Sequence, residues 1–315
     1  RQPDVEVRKV DPERLLPLLR KSPGRSGPAP SPDDPRLSHY PHLAIRGVAI
    51  PGPHGLANRK TNKMKVLVVG GAGYVGSILQ PALQAEHDYY CFDQCRVEGL
   101  GDRSLAGDLN DDIAVKRAVK GMQSIVYLAM ENKKRPRDLD QSFNINTLGV
   151  YRLLTYSLKA GVRNFVYASS MSVYRNLWNR GGRKCAEDDV PDAWDKPYGL
   201  SKRLGEQVCQ AAAQRYPQAT IIAMRLITPC NDEDFLTGRR STQIAIQTQN
   251  PGLSKAEAAE RFIVTAPNDL RRLFLAAIKC SRTGAHIVQA TGDLDDRKFP
   301  NHRVAELLDW RPRGD

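Results

Sequence analysis

The chain has 315 residues, 41% hydrophobic and 26% charged, with a net charge of +12. That is the balance of an ordinary globular protein with a sizeable core. No apolar run approaches the roughly 20 residues needed to cross a bilayer, and the N-terminal segment has no apolar h-region, so neither a membrane anchor nor secretion is expected. Cys91 and Cys95 are the closest of six cysteines, but no second pair completes a metal site. No metal is therefore expected, and reduced thiols in a cytoplasmic compartment are.

Residues 1–63 differ from the rest. They hold about half of the prolines and half of the net positive charge. Pro28, Pro30, Pro32 and Pro35 exclude a regular helix or central strand there. A short helical pattern at 12–20 carries Leu15, Leu16, Leu18 and Leu19; otherwise a basic, largely irregular extension is expected. The densest later basic cluster is Lys133, Lys134, Arg135 and Arg137. No aromatic residue interleaves with it, so no nucleic-acid partner is expected.

From Met64 onward, short β-branched runs alternate with helical patterns. Strands are predicted at 65–69, 89–92, just before Gly107, and at 125–128, 164–168, 220–225 and 285–289. Helices are predicted between them, notably at 146–160 and 198–215. Apolar strands alternating with helices predict an α/β fold, a parallel sheet covered on both faces.

The first strand runs into Gly70-Gly71-Ala72-Gly73-Tyr74-Val75-Gly76. Gly70 permits a tight turn, Gly73 lets backbone approach a pyrophosphate, and Gly76 lets the following helix pack closely on the strand. The phosphates then meet the positive end of that helix. Asp93 lies about 20 residues on, at the end of the second strand, where an acid can bond both ribose hydroxyls. An acid there repels a 2′-phosphate, which favours NAD over NADP; Arg96 weakens that preference.

Tyr198-Gly199-Leu200-Ser201-Lys202 places a phenol and an ammonium on one helix face. A neighbouring cation favours phenolate, which can take a proton from an alcohol while hydride leaves the same carbon. Pro197 suits the start of that helix. Upstream, Ser169 and Ser170 follow a buried strand, at the end where ligands bind in such sheets. Taken singly, each of these is an ordinary feature: a tyrosine–lysine pair on an amphipathic helix, serines in a turn. Their order behind a dinucleotide turn is the signal.

From Met64 to about Pro312 the chain resembles the extended short-chain dehydrogenase/reductases of the NAD-dependent epimerase/dehydratase group. The resemblance implies a Rossmann doubly wound sheet with a small C-terminal substrate-binding region, spanning 64–315, with substrate segments near 171–197, 226–262 and 291–315. It implies Ser170, Tyr198 and Lys202 as the catalytic set. It implies NAD contacts at Gly70, Gly73, Tyr74, Val75 and Gly76, then at Asp93, Asp108 beside the adenine with Leu109, Leu128 and Ala129. Asn146, Tyr198, Lys202 and Thr228 complete them. The activity implied is an NAD-dependent oxidoreductase or epimerase acting on a sugar, sugar acid or nucleotide sugar. Helices 146–160 and 198–215 imply a homodimer.

The chain departs from the family at several points. Arg175 follows Tyr174 in place of the frequent glycine, and Met130 replaces a small residue. Thr228-Pro229-Cys230 replaces the usual loop after Arg225. Met171 and Ser172 stand where 4,6-dehydratases carry Asp-Glu, which argues against dehydration. The region 226–262 is short, favouring a free sugar or sugar acid. Overall size, together with residues 187–202, is similar to the uronate dehydrogenases. The altered loop keeps one rival open: a dinucleotide-binding structural or regulatory subunit with weak or no catalysis.

Overall fold

Seven strands form one parallel sheet in the computed structural model, which describes residues 63–130 and 139–315. They are β1 (Lys65–Val69), β2 (Asp88–Asp93), β3 (Ser104–Ala106), β4 (Ser124–Tyr127), β5 (Asn164–Ser170), β6 (Thr220–Leu226) and β7 (Gly284–Ala290). The helical pattern at 12–20 and the basic cluster at 133–137 lie outside the described residues.

Side-chain alternation explains the layering. In β1, Val66 and Val68 enter one core while Leu67 and Val69 enter the other. In β6, Ile222 and Met224 join the first set, and Ile221 and Ala223 the second. A strand buried on both faces needs apolar residues at every position. On the first face lie α1 (Tyr74–Glu86) and α9 (Pro267–Lys279), with α10 (His302–Leu308). Leu270, Leu273 and Phe274 of α9 are fully buried there, each contributing roughly 1.5–3 kcal/mol. On the second face lie α2 (Asp112–Val119), α4 (Val150–Lys159) and α5 (Pro197–Arg215). The short helices α6 (Asp232–Leu236), α7 (Arg239–Gln247) and α8 (Lys255–Arg261) follow β6.

The strand order is β3-β2-β1-β4-β5-β6-β7. The chain therefore switches direction between β1 and β4. In such sheets ligands bind at the carboxyl ends of the strands beside this switch.

One expected helix is not regular. The predicted segment 146–160 is preceded by α3 (Leu139–Phe143), and a π-helix at Asn144–Gly149 leads into α4. Buried tyrosines account for the widened turn. Tyr127 Oη donates to the Ile145 carbonyl at 2.6 Å and Tyr167 Oη to the Asn146 carbonyl at 3.2 Å. Those carbonyls are held sideways by phenols, which a helical periodicity cannot foretell. Gly205 of α5 makes room: a Cβ there would stand 2.5 Å from the Asn146 oxygen.

Candidate active site

The glycine turn joins β1 to α1 at the switch point. Gly70 has φ +80°, and a Cβ on it would stand 2.6 Å from the Ala129 backbone. Only glycine lets the loops after β1 and β4 meet this closely. A Cβ on Gly76 would collide with the Gly71 carbonyl, so the helix needs glycine to sit down on the turn. Gly73 is the N-cap of α1 and supplies no side-chain cap. Tyr74 and Val75 open the helix, and their N–H groups belong to the first turn, which lacks intrahelical partners. An open, positive helix end with no side chain in front of it fits a pyrophosphate.

Asp93 closes the other side of the turn. Its Oδ2 accepts the Ala72 N–H at 2.9 Å and its Oδ1 the Gln94 N–H at 2.7 Å. Burial holds its carboxyl above the usual range, against the pull of backbone N–H groups from Ala72, Gln94 and Cys95. Next along the edge, Gly107 N donates to the Asp93 carbonyl at 2.9 Å. This places Asp108 and Leu109 beside the Asp93 end. Asp108 is exposed and accepts the Asn110 N–H at 2.8 Å, a local turn. Leu109 packs partly on the core. Leu128 is buried and Ala129 half-buried beneath Gly70, whereas Met130 points to solvent.

Ser170 ends β5. Its Oγ accepts the Ser172 N–H at 3.1 Å, which fixes the oxygen through its lone pair. Tyr198 and Lys202 sit on the first turns of α5. Lys202 is buried, and its Nζ donates to the Ala168 carbonyl at 2.8 Å. The same Nζ lies 5.8 Å from the Tyr198 ring centroid and 4.8 Å from that of Tyr167. Gly199 lets the two halves meet: a Cβ there would collide with the Ser172 carbonyl. The turn after Ser170 thus rests against the turn of α5 that carries Tyr198.

Beneath this set lies a buried network. Arg225 of β6 binds Glu206 of α5 bidentately, both bonds at 2.8 Å. Ser169 Oγ donates to the same Glu206 carboxylate at 2.7 Å. Arg225 also donates to Tyr174 Oη at 2.5 Å. Burial alone would lower the Arg225 pKa, but the Glu206 carboxylate more than offsets it and holds it raised. The network ties β5, β6, α5 and the chain after Ser170 into one unit. Reading the sequence did not single out Glu206. Its signal was its place, four residues past Lys202 on the same buried helix face, opposite an arginine in a largely apolar strand.

Asn146 is fully buried, its amide donating to Ser201 Oγ at 3.1 Å, so it braces α5 from below. Its Oδ1 has no protein partner among the described residues. Thr228 adopts φ +37°, an uncommon value for a β-branched residue. Its carbonyl accepts the Thr265 N–H at 3.1 Å, and Pro229 forms a parallel bridge with Thr265. The altered loop is therefore an ordered, anchored bend.

Comparison with known proteins places this arrangement. The chain is 28% identical to an L-arabinose 1-dehydrogenase (NAD(P)(+)) of Haloferax volcanii over 266 residues, covering 79% of this chain and 96% of that enzyme. It is 28% identical over 153 residues to an N-acetyl-alpha-D-glucosaminyl-diphospho-ditrans,octacis-undecaprenol 4-epimerase of Escherichia coli O157:H7. That match covers 48% of this chain but only 44% of the epimerase. Uronate dehydrogenase from Agrobacterium tumefaciens superposes with a TM-score of 0.60 at 21% identity, over 80% of this chain and 85% of that one, a likeness of fold. The sequence model of the NAD dependent epimerase/dehydratase family matches residues 66–248. With its glycine turn at the switch point of a parallel sheet, the chain belongs to that NAD-dependent family.

Proposed function

We propose that this chain oxidises or epimerises a hydroxyl-bearing carbon of a sugar, sugar acid or nucleotide sugar through Ser170, Tyr198 and Lys202. The observation that carries the reading is the Lys202 ammonium, pinned on the Ala168 carbonyl with the Tyr198 ring 5.8 Å away. A fixed cation beside a phenol favours phenolate. As phenolate, Tyr198 takes the proton of the substrate hydroxyl. Ser170 uses its Oγ lone pair on Ser172 N, so its own O–H can turn to the reacting oxygen. NAD, when bound, supplies the acceptor for the hydride that leaves the same carbon. Tyr74 and Val75 N–H groups suit its pyrophosphate, Asp93 its ribose, and Asp108 with Leu109 its adenine. Leu128, Ala129 and Thr228 border the path between the two ends. Asn146 serves this set from beneath, through Ser201.

Segments 171–197, 226–262 and 291–315 of the 64–315 domain are proposed to receive the substrate. The match to an L-arabinose 1-dehydrogenase, 28% identical but spanning 96% of that enzyme, supports a free sugar. Met171 and Ser172 offer no acid–base pair, so elimination of water is not proposed.

Incubation with NAD and a panel of uronic acids, aldoses and nucleotide sugars, read by NADH absorbance, tests the proposal. NADH formation with a uronic acid or aldose is the expected result. Conversion of a nucleotide sugar without net NADH would assign an epimerase. No turnover on any of them, with bound NAD and no effect of Tyr198→Phe, would leave a structural dinucleotide-binding subunit.

Asp93 makes a separate prediction. Ionised, Asp93 can accept ribose hydroxyls with both oxygens, whereas protonation turns one oxygen into a donor and removes the charge; burial raises its pKa. NAD affinity is therefore full above that raised pKa and falls as pH drops through it, at a higher pH than an ordinary aspartate would set. Calorimetric NAD titrations across the acid range should show this limb, and Asp93→Asn should abolish it. An acid limb unchanged in the variant would reassign it to another group.

The same reading pairs two copies of the chain through the segment 146–160 and α5, where Leu148 of the π-helix, Tyr151 of α4 and Leu204 of α5 are exposed apolar residues. Sedimentation equilibrium should give twice the chain mass, and a monomer mass at micromolar concentration would sink it.

A further inference from the structure

Tyr74 does more than open α1. Its hydroxyl accepts the Asn231 N–H at 2.9 Å and donates to Asp234 Oδ2 at 3.1 Å. Asp234 is buried, is held by an Asn231 cap bond of 2.7 Å to its own N–H, and pairs with Arg239. The Arg240 guanidinium lies 5.7 Å from the Tyr74 ring centroid, with its Nε buried and unpartnered among the described residues. A second attachment lies one turn further along α1. Arg271 donates to the Ile78 carbonyl at 3.1 Å and grips Asp232 with two bonds, of 3.1 and 2.6 Å. The segment 231–240 is thus strapped to α1 at two successive turns. The strap begins just past the bend at Thr228 and Pro229 that Thr265 anchors.

This matters because of which residue is the first attachment. Tyr74 presents its backbone N–H at the open helix end that suits a pyrophosphate, and its side chain to the strap. Strap and phosphate cradle are therefore one tyrosine side chain apart. Among the described residues, the Tyr74 side chain is what hydrogen-bonds the glycine turn to the segment 231–240.

We propose that Tyr74 is the residue that retains NAD, its hydroxyl latching the segment 231–240 beside the pyrophosphate cradle, with Arg240 as the cation at that edge. The proposal rests on the glycine turn binding NAD, and it deepens that reading by giving a structural determinant of cofactor release. A slow release keeps reduced cofactor in place, as an epimerase requires; a fast release suits a dehydrogenase. The latch therefore acts on the property that separates the two chemistries.

The test measures NADH dissociation from the full chain by fluorescence, chasing with excess NAD, in the wild type, Tyr74→Phe and Asp234→Ala. Tyr74→Phe removes two hydrogen bonds and keeps the ring, and Asp234→Ala cuts the strap's side of the latch without touching the turn. Both should raise the dissociation rate, by roughly ten- to a hundredfold, with little change in the association rate. Trypsin should also cut after Arg239 and Arg240 faster in both variants, with NAD slowing the cut in the wild type. Faster dissociation in Tyr74→Phe alone would mean that the phenol acts on the turn directly and would overturn the latch. Unchanged dissociation in both variants would overturn it too, leaving NAD binding intact. Failure of the wild type to bind NADH at all would instead overturn the cofactor reading beneath it. A variant with wild-type circular dichroism and thermal midpoint but no NADH binding would also defeat the latch, because a faster release at unchanged association weakens binding only by that same factor and does not abolish it.

Discussion

Tyr198→Phe should lower kcat by about 10²–10⁴-fold, the usual worth of a positioned general acid or base, while NAD affinity stays near that of the wild type. The substitution keeps the ring beside Lys202 and deletes only the oxygen that moves the proton. Nothing else on this face of α5 replaces it. Lys202 is committed to the Ala168 carbonyl at 2.8 Å, and Ser170, on β5, has only a hydroxyl of ordinary basicity to offer. Steady-state kinetics with the substrate found by NADH absorbance, together with calorimetric NAD binding, separates the two effects. A kcat within tenfold of the wild type would remove Tyr198 from the proton path. A parallel collapse of NAD affinity would make it a binding residue first.

Glu206→Ala should cost about 3–5 kcal/mol of folding stability, the range for removing one partner of a buried ion pair. The cost comes chiefly from what is left behind. Arg225 is 7% exposed, and its guanidinium would keep a charge with no carboxylate to hold it. Ser169 would lose its acceptor in the same step. Replacing both partners, as Glu206→Leu with Arg225→Met, should recover much of the loss, because no charge is then stranded. Denaturant unfolding of the single and double variants reads this directly. A loss below about 1 kcal/mol for Glu206→Ala would show that water or Tyr174 already satisfies the guanidinium. The double variant also separates stability from positioning. If it folds well but turns over slowly, the network is needed to keep β5 and α5 in register beneath Ser170 and Tyr198.

The local features of the cofactor half are legible in the order of residues alone. Strand β1 can be read to the residue because each of its apolar positions serves one core or the other. The glycine turn can be read because backbone conformation and close approach leave no other residue type that fits: φ +80° at Gly70, and no room for a Cβ at Gly76. The tyrosine and lysine of α5 can be read as neighbours because helical spacing is local. Each is a constraint that acts within a few residues, so a one-dimensional pattern records it.

Pairings between distant segments are a different matter. The π-helix at Asn144–Gly149 replaces a regular helix because phenols from β4 and β5 hold its carbonyls. Glu206 reads as one more charge on an amphipathic helix until Arg225 of β6 is seen against it. Gly199 reads as a weak helix residue until the Ser172 carbonyl is seen against it. Tyr74 reads as a filler between glycines until Asn231 and Asp234 meet its hydroxyl, some 160 residues away along the chain. Residue types and their spacing thus suffice to say where a dinucleotide could bind and which side chains could move a proton. What holds those side chains in register, and what lies strapped beside the cofactor cradle, follows from the fold alone, because burial and partner choice depend on which segments the sheet brings together.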